Sequence, residues 1–431
     1  MRVSKKTNRI IERMNKKAKI AVIGAGPAGM IAAGRTASAG LDVTLFEKNE
    51  LLGKKLGITG KGRCNVTNDC TPETFMKNIT KNGKFLFSAI NRFSPADTMA
   101  FFEKLGVPLK VERGNRVFPV SDRATDIVLA MKKYVVDSGA KIVCERVTEL
   151  VSDGGRITSV KTERHTYDRF DEVIICTGGL SYQLTGSTGD GFEFARALGH
   201  TVSEPVPSLV GLESEDKLCR DTQGLSLRNV MIKVFDSEKG KTIYEDFGEM
   251  LFTHFGMSGP LILSASAHMR PMENGRYTVN IDLKPALDRE TLDARVLFDF
   301  DKYKNKNLDN ALSDLLPQKL IHPFIKACGL EYGEKANSVT RAQREVIVNT
   351  LKCLPVKVRG FRPIEEAIVT SGGVKTSEID PKTMRSKRVN NLYFAGEVID
   401  VDAYTGGFNI QIALSTGVCA ADGIIEKYTT V

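Results

Sequence analysis

The stretch KIAVIGAGPAGMIAAG, Lys19 to Gly34, decides how the rest of the chain is read. Lys19–Ile23 is a short apolar run suited to a buried strand, and the small residues after Pro27 suit a closely packed helix. Between them, Gly24-x-Gly26-x-x-Gly29 places glycine where a phosphate-binding turn needs it. The first glycine permits the tight turn, the second lets backbone approach a pyrophosphate, and the third lets helix and strand pack closely. The helix N-terminus then offers free N–H groups and a positive dipole end. Gly24, Ala25, Gly26, Pro27, Ala28 and Gly29 are therefore expected to line a nucleotide. A second strand, Asp42–Lys48, carries Glu47, 23 residues after Gly24, where a carboxylate accepts hydrogen bonds from ribose; Lys48 follows it. A glycine-rich turn alone is common. Strand, turn, helix, strand and acid in that order make this one a dinucleotide fingerprint.

Three later segments select FAD over NAD as the dinucleotide. Lys141–Val147 reads as a strand, with Val147 offering backbone to an adenine. Glu172–Tyr182 runs a buried strand into Thr177-Gly178-Gly179, as in two-fold flavoproteins. Leu392–Val398 is a late strand ending in Gly396-Glu397, suited to a ribityl and pyrophosphate portion. Gly406-Gly407 then precedes a helix, so that Gly407, Phe408, Asn409 and Ile410 form a helix N-terminus facing a flavin pyrimidine edge, where it stabilises negative charge.

Between these segments the pattern changes. Residues 201–285 show alternating strands with turns at Asp236–Lys241 and Glu273–Gly275, and residues 286–353 are helical and polar. The expected fold is α/β: a Rossmann-like FAD-binding domain, residues 19–200 and 354–431, interrupted by an inserted β-barrel-like plus helical domain, 201–353.

Charge and composition limit the function classes. The net charge of +9 invites a nucleic-acid reading, but residues 1–19 hold eight Lys or Arg and one acid, leaving +2 for the rest. The basic tail 1–18 is thus an extension of a nearly neutral body, and nucleic acid is the less favoured partner. No run of 18 apolar residues appears, so no membrane span is expected, and no secretory signal opens the chain; a cytoplasmic location follows as an expectation. The eight cysteines form no C-x-x-C and the five histidines no H-x-x-x-H, so no metal site is expected. Cys64 and Cys70, with five residues between them, sit where flavin disulfide reductases carry a redox pair, but the spacing and the missing helix signal disfavour a bridge.

With these pieces placed, the chain resembles the BaiN-type, aminoacetone-oxidase-like flavoproteins. The resemblance is carried by GAGPAG, by KLGITGKGRCNVTN (Lys55–Asn68), by LFTHFGMSGP (Leu251–Pro260), by VTSGGV (Val369–Val374) and by Thr383–Gly417. It covers nearly the whole chain beyond the tail. It implies FAD, an inserted domain, and chemistry either on ring double bonds of 3-oxo bile acids or on aminoacetone.

The flavin carries the redox chemistry and the protein positions it. Without a second fingerprint, NADH or NADPH must visit the flavin pocket itself, or substrate reduces the flavin and oxygen reoxidises it. Lys55, Thr59, Gly60, Arg63, Cys64 and Asn65 are expected to wrap the cofactor, with Arg63 meeting phosphate or flavin carbonyl charge. His254, Tyr404 and Thr405 are the expected acid–base or substrate-orienting groups. The leading expectation is an NAD(P)H-driven reductase of a small unsaturated ketone. An oxygen-using amine or ketone oxidase and an RNA-linked flavoprotein are the alternatives.

Overall fold

The computed structural model describes residues 17–429. The chain divides into two compact units: the chain up to Val206 together with the chain from Val369 onward, and Pro207–Ile368.

The first unit is built on a five-stranded parallel sheet in the order Leu392–Phe394, Glu172–Ile175, Lys19–Ile23, Asp42–Phe46, Lys141–Val143. Its central strands are almost continuous apolar runs, as a sheet covered on both faces requires. Helix Pro27–Ser38 packs against the closing helix Phe408–Thr429 through small residues. A Cβ on Gly417 would come within 2.6 Å of the Ala28 carbonyl oxygen, so the approach demands glycine. The closing helix is long and apolar enough to cross a membrane, but most of it is buried within this unit. It contains no unbroken run of 18 apolar residues because Asn409, Gln411, Ser415 and Thr416 interrupt them.

Helix Pro95–Lys104 opens at the expected Ser94-Pro95 signal, with a capping box between Ser94 and Asp97. Lys141–Val147 is not one strand. The parallel strand ends at Val143, and Val147 begins Val147–Asp153 in a separate antiparallel sheet with Arg156–Thr162 and Thr166–Asp168. A third small sheet joins Thr67–Asn68 to the hairpin Leu109–Glu112 and Arg116–Pro119.

The second unit has its own core around a seven-stranded antiparallel sheet. The long hairpin Ser226–Asp236 and Lys241–Thr253 is its spine, and the turn falls where Asp236–Lys241 marks it. Leu354–Lys357 pairs with Tyr277–Asp282, and three residues later Gly360–Phe361 pairs with Leu212–Glu213. One extended run therefore carries both ends of the sheet, which gives it a barrel-like closure. Helices Arg289–Lys302, Gln318–Ala327 and Arg341–Lys352 complete this unit.

The junctions lie later than the expected 201 and 353. Val202–Ser208 pairs with Val369–Val374, which keeps residues up to Val206 in the first unit. Leu354–Phe361 is held by the sheet of the second unit, so the strands that return after residue 353 do not yet belong to the Rossmann sheet. The basic tail lies outside the described residues apart from Lys17 and Ala18.

Candidate flavin site

The glycine turn is set by contacts that leave no choice of residue. Gly24 has φ +99°, donates its N–H to the Phe46 carbonyl at 2.8 Å, and would place a Cβ 2.6 Å from the Cys176 carbonyl oxygen. A Cβ on Gly29 would lie 1.8 Å from the Gly24 carbonyl oxygen. Gly26 is different: its Cβ direction meets nothing within 4 Å. Open space thus lies over the first turn of helix Pro27–Ser38, whose leading N–H groups have no partner within the helix. Thr177, at the end of the next strand, has a buried hydroxyl oxygen with no hydrogen-bond partner among the described residues. That hydroxyl faces Gly191, whose Cβ would lie 2.1 Å from it, so the open backbone cradle at Gly26 is what fits the pyrophosphate-bearing cofactor that the fingerprint implies.

Glu47 is buried and braces the turn. Oε2 accepts the Ala25 N–H at 2.8 Å, while Oε1 accepts the backbone and side-chain N–H groups of Asn49 at 2.9 and 2.7 Å. Lys48 is committed elsewhere, with Nζ 2.9 Å from Asp190 and 2.5 Å from the Thr188 hydroxyl. Burial alone would raise the Asp190 carboxyl, yet Lys48 and Arg146 hold it below its ordinary value.

A second cluster joins four segments remote in sequence. Lys55 Nζ donates to Glu397 Oε2 and to the Ser181 hydroxyl, each at 2.7 Å. Glu397 Oε1 accepts the Thr370 N–H at 2.8 Å and the Ser181 hydroxyl at 3.0 Å. Burial pushes the Glu397 carboxyl up, and the Lys55 ammonium with these donors outweighs it, so the group sits below the usual carboxylate range. Thr370 Oγ1 accepts the N–H groups of Leu180 and Ser181, and a Cβ on Gly179 would lie 2.4 Å from it. Gly178 has φ +76° and Gly396 φ +79°. Thr370 and Ser181 were not singled out from the sequence; the VTSGGV stretch was the available signal, since a hydroxyl beside paired glycines marks a close backbone approach.

The loop Gly57–Asn68 is where expectation and structure part. Helix Lys54–Gly62 breaks at Thr59, Gly60 and Lys61, and the Thr59 hydroxyl donates to the Leu56 carbonyl. Arg63 does not offer free charge to a cofactor: its guanidinium pairs with Glu112 and, at 2.6 Å, with Asp122, and lies 4.1 Å from the Phe118 ring centroid. Two carboxylates and an aromatic face satisfy it locally. Cys64 is fully buried, and burial pushes its thiol up to about 12; burial and the Asp69 charge push Cys70 up to about 11. Both are free thiols, far from the thiolate character of a redox pair. Asn65 Oδ1 accepts the Val117 N–H at 3.2 Å. The loop is thereby stitched to the hairpin beside it.

The same loop meets the late glycine pair. Thr67 donates to Gln411 Oε1 at 2.6 Å, and Asn68 Nδ2 donates to the carbonyls of Gly114 and Gly406 at 2.9 and 3.1 Å. Gly407, at φ +98°, would put a Cβ 2.3 Å from the Thr67 backbone. Phe408 is buried edge-on to Phe75, and Ile410 is half-buried. Asn409 clamps the preceding loop, donating to the carbonyls of Ala403 and Tyr404 and accepting the Ala403 N–H. Tyr404 and Thr405 are half-buried on that clamped loop, and the Tyr404 N–H donates to the Asn78 carbonyl. His254 belongs to the second unit, exposed at the tip of the hairpin between Lys241–Thr253 and Gly256–Ser258, with its ring edge-on to Phe255.

A parallel sheet, a glycine turn with open space over a helix N-terminus, and late Gly-acid and Gly-Gly segments on one unit define a Rossmann-type flavoprotein oxidoreductase. Residues 18–423 match the family described as HI0933-like protein Rossmann domain, and the chain belongs to that family of FAD-dependent oxidoreductases. The chain is 28% identical to the 3-dehydro-bile acid delta(4,6)-reductase of Clostridium scindens, over 95% of this chain and 99% of that protein. It is 30% identical to the ribosomal RNA dihydrouridine synthase of Haemophilus influenzae, over 94% of this chain and 98% of that protein. The fold is also that of a 3-ketosteroid-delta4-(5alpha)-dehydrogenase from Rhodococcus jostii RHA1, with a TM-score of 0.51 at 14% identity, covering 94% of this chain and 97% of that one.

Proposed function

We propose that this protein is an FAD-dependent reductase of a carbon–carbon double bond conjugated to a carbonyl, and that the bond it reduces is that of a uracil base in RNA. The observation that carries the reading is the open cradle at Gly26, framed by the forced glycines 24 and 29. Bound FAD supplies a two-electron hydride donor. The Gly24–Gly29 turn and the first turn of Pro27–Ser38 would hold its pyrophosphate, and Glu47 has a remaining lone pair for a ribose hydroxyl. Thr177–Gly179 and Gly396–Glu397 would line its ribityl portion. The N–H groups at Phe408, Asn409 and Ile410 would stabilise negative charge on its pyrimidine edge. Tyr404 and Thr405, held by Asn409, orient substrate or hold the proton delivered to the α-carbon.

The substrate reading rests on shared chemistry. Uracil and a 3-oxo ring enone both present a double bond conjugated to a carbonyl, so hydride adds at the β-carbon and a proton at the α-carbon. Two relatives similar over their whole lengths carry names that use this one bond type on different substrates. The nearly neutral body argues for a small molecule; the higher identity to the ribosomal RNA enzyme and the basic tail weigh toward RNA. A small unsaturated ketone is the second reading, favoured by the relative in Clostridium scindens.

The test is anaerobic. Purified protein should be yellow and should bleach with NADH or NADPH. It should then be reoxidised by unmodified ribosomal RNA transcribed in vitro, with dihydrouridine detected by mass spectrometry. Reoxidation by a steroid-like enone and not by RNA selects the second reading. Protein without flavin absorption sinks both, and, in a parallel assay in air, substrate-dependent peroxide without nicotinamide oxidation returns the oxidase.

A further inference from the structure

The hairpin Leu109–Glu112 and Arg116–Pro119 has an unequal charge distribution. At its base every charge is matched: Lys110 pairs with Asp122 at 2.6 Å, and Arg63 pairs with Glu112 and Asp122. At its tip, Arg113 and Arg116 are both exposed, and among the described residues neither forms an ion pair with a carboxylate. The Arg116 side chain is steadied by donating Nε–H to the Arg113 carbonyl at 3.0 Å, with its guanidinium 5.7 Å from the Phe118 ring centroid. The bend at Gly60 approaches the same ring, its Cβ direction ending 3.3 Å from Phe118, and Lys61 next to it is exposed. Two acids adjoin this tip: Asp69, whose N–H donates to the Asn115 carbonyl at 2.7 Å, and Glu112, which sits opposite Arg116 across the hairpin but is paired with Arg63.

The position of this cationic tip gives it meaning. The Asn68 side chain donates at once to Gly114, in the tip, and to Gly406, in the pair that opens the closing helix. One amide group thus ties the arginine-bearing turn to the backbone that the flavin reading places at the cofactor's pyrimidine edge. Arg116, held by a backbone and a ring contact, is preorganised for phosphate oxygens, which match its planar donor fork, and the exposed Arg113 stands three residues away in the same turn. Phosphate contacts position a nucleic acid without reading its bases, which an enzyme that must present one base to a buried cofactor requires.

We propose that the Arg113–Arg116 tip, with Lys61, is a phosphate-contacting edge that docks the RNA backbone beside the flavin. This rests on the RNA reading above. The test measures binding of the FAD-loaded full chain to unmodified ribosomal RNA across a potassium chloride series. The variants are Arg113→Ala/Arg116→Ala and Arg113→Lys/Arg116→Lys. The alanine pair should weaken binding and flatten the log–log salt slope by about 1.4–1.8, which is about 0.7–0.9 for each phosphate that an arginine no longer neutralises. The lysine pair should keep the slope, and flavin absorption and melting temperature should match wild type in both. Wild type that binds RNA, with an alanine pair binding equally well on the same slope, overturns the docking edge and leaves the RNA reading standing. Wild type showing no salt-dependent RNA binding overturns both.

Discussion

Two glycine-rich segments of the first unit, Gly24–Gly29 and Gly57–Asn68, look alike in sequence and behave differently in space. In the first, the backbone itself shapes the site: two glycines are forced by contacts at 2.6 and 1.8 Å, and the third faces open space. In the second, side chains are committed to the scaffold: Arg63 to carboxylates, Cys64 to the interior, Asn65 and Asn68 to neighbouring backbone. Glycine spacing alone therefore does not say whether the residues around it face a ligand or hold the frame that shapes its site.

The sharpest way to break this contrast is Gly29→Ala. Its Cβ has no room, so the variant should lose about 3 kcal/mol or more and emerge without flavin absorption. A yellow protein with unchanged melting temperature would show that the turn relaxes freely.

Lys55→Met tests the cluster that joins the two kinds of segment. It leaves Glu397 without its cation and should cost about 3 kcal/mol, the low end for a buried pair because about a fifth of each side chain is exposed. The pH dependence has a defined sign. The Glu397 carboxyl is depressed in the folded protein, so its contribution is present above its unfolded value, about 4.3, and is lost as pH falls through the folded value. In the variant, burial without Lys55 raises the carboxyl, so acid unfolding should begin at higher pH. Circular dichroism against pH reads both effects.

Gly26→Ala separates folding from binding within one turn. With nothing within 4 Å of its Cβ direction, the variant should melt as wild type does, while FAD affinity falls about tenfold or more because the methyl enters the pyrophosphate space. Equal FAD affinity by fluorescence titration would move the cofactor away from Gly26.

Arg63→Ala should have the smallest effect on the cofactor. Its partners are Glu112, Asp122 and Phe118, so FAD affinity should stay within about twofold. A tenfold loss would restore Arg63 to the cofactor and dissolve the contrast between the segments. Thiol titration should likewise return the same count before and after flavin reduction, since burial holds both Cys64 and Cys70 thiols protonated.

Local signals were readable where a single segment contained all that was needed. The fingerprint strand, the Ser94-Pro95 helix start, the Asp236–Lys241 turn and the Gly406-Gly407 helix start each lie within a few residues of their cause. Lys141–Val147 misled because apolar residues stand at both its ends, and the short break Cys144–Arg146 between them does not say that Val147 joins a different sheet. Residues 354–361 misled because a strand does not state its partner: the same run could have entered the Rossmann sheet and instead closes the barrel-like one.

The chain by itself determined the dinucleotide turn, its acid, the late glycine segments and the presence of an inserted unit, because backbone sterics and period are local properties. Only the tertiary structure decided that Lys55 meets Glu397 across 342 residues, that Thr370 anchors the Gly179 turn, and that Asn68 joins Gly114 to Gly406. It also decided that the Arg63 charge is matched while Arg113 and Arg116 remain exposed. Charge pairing depends on which surfaces the fold brings within a few ångströms, and no spacing along the chain encodes that distance.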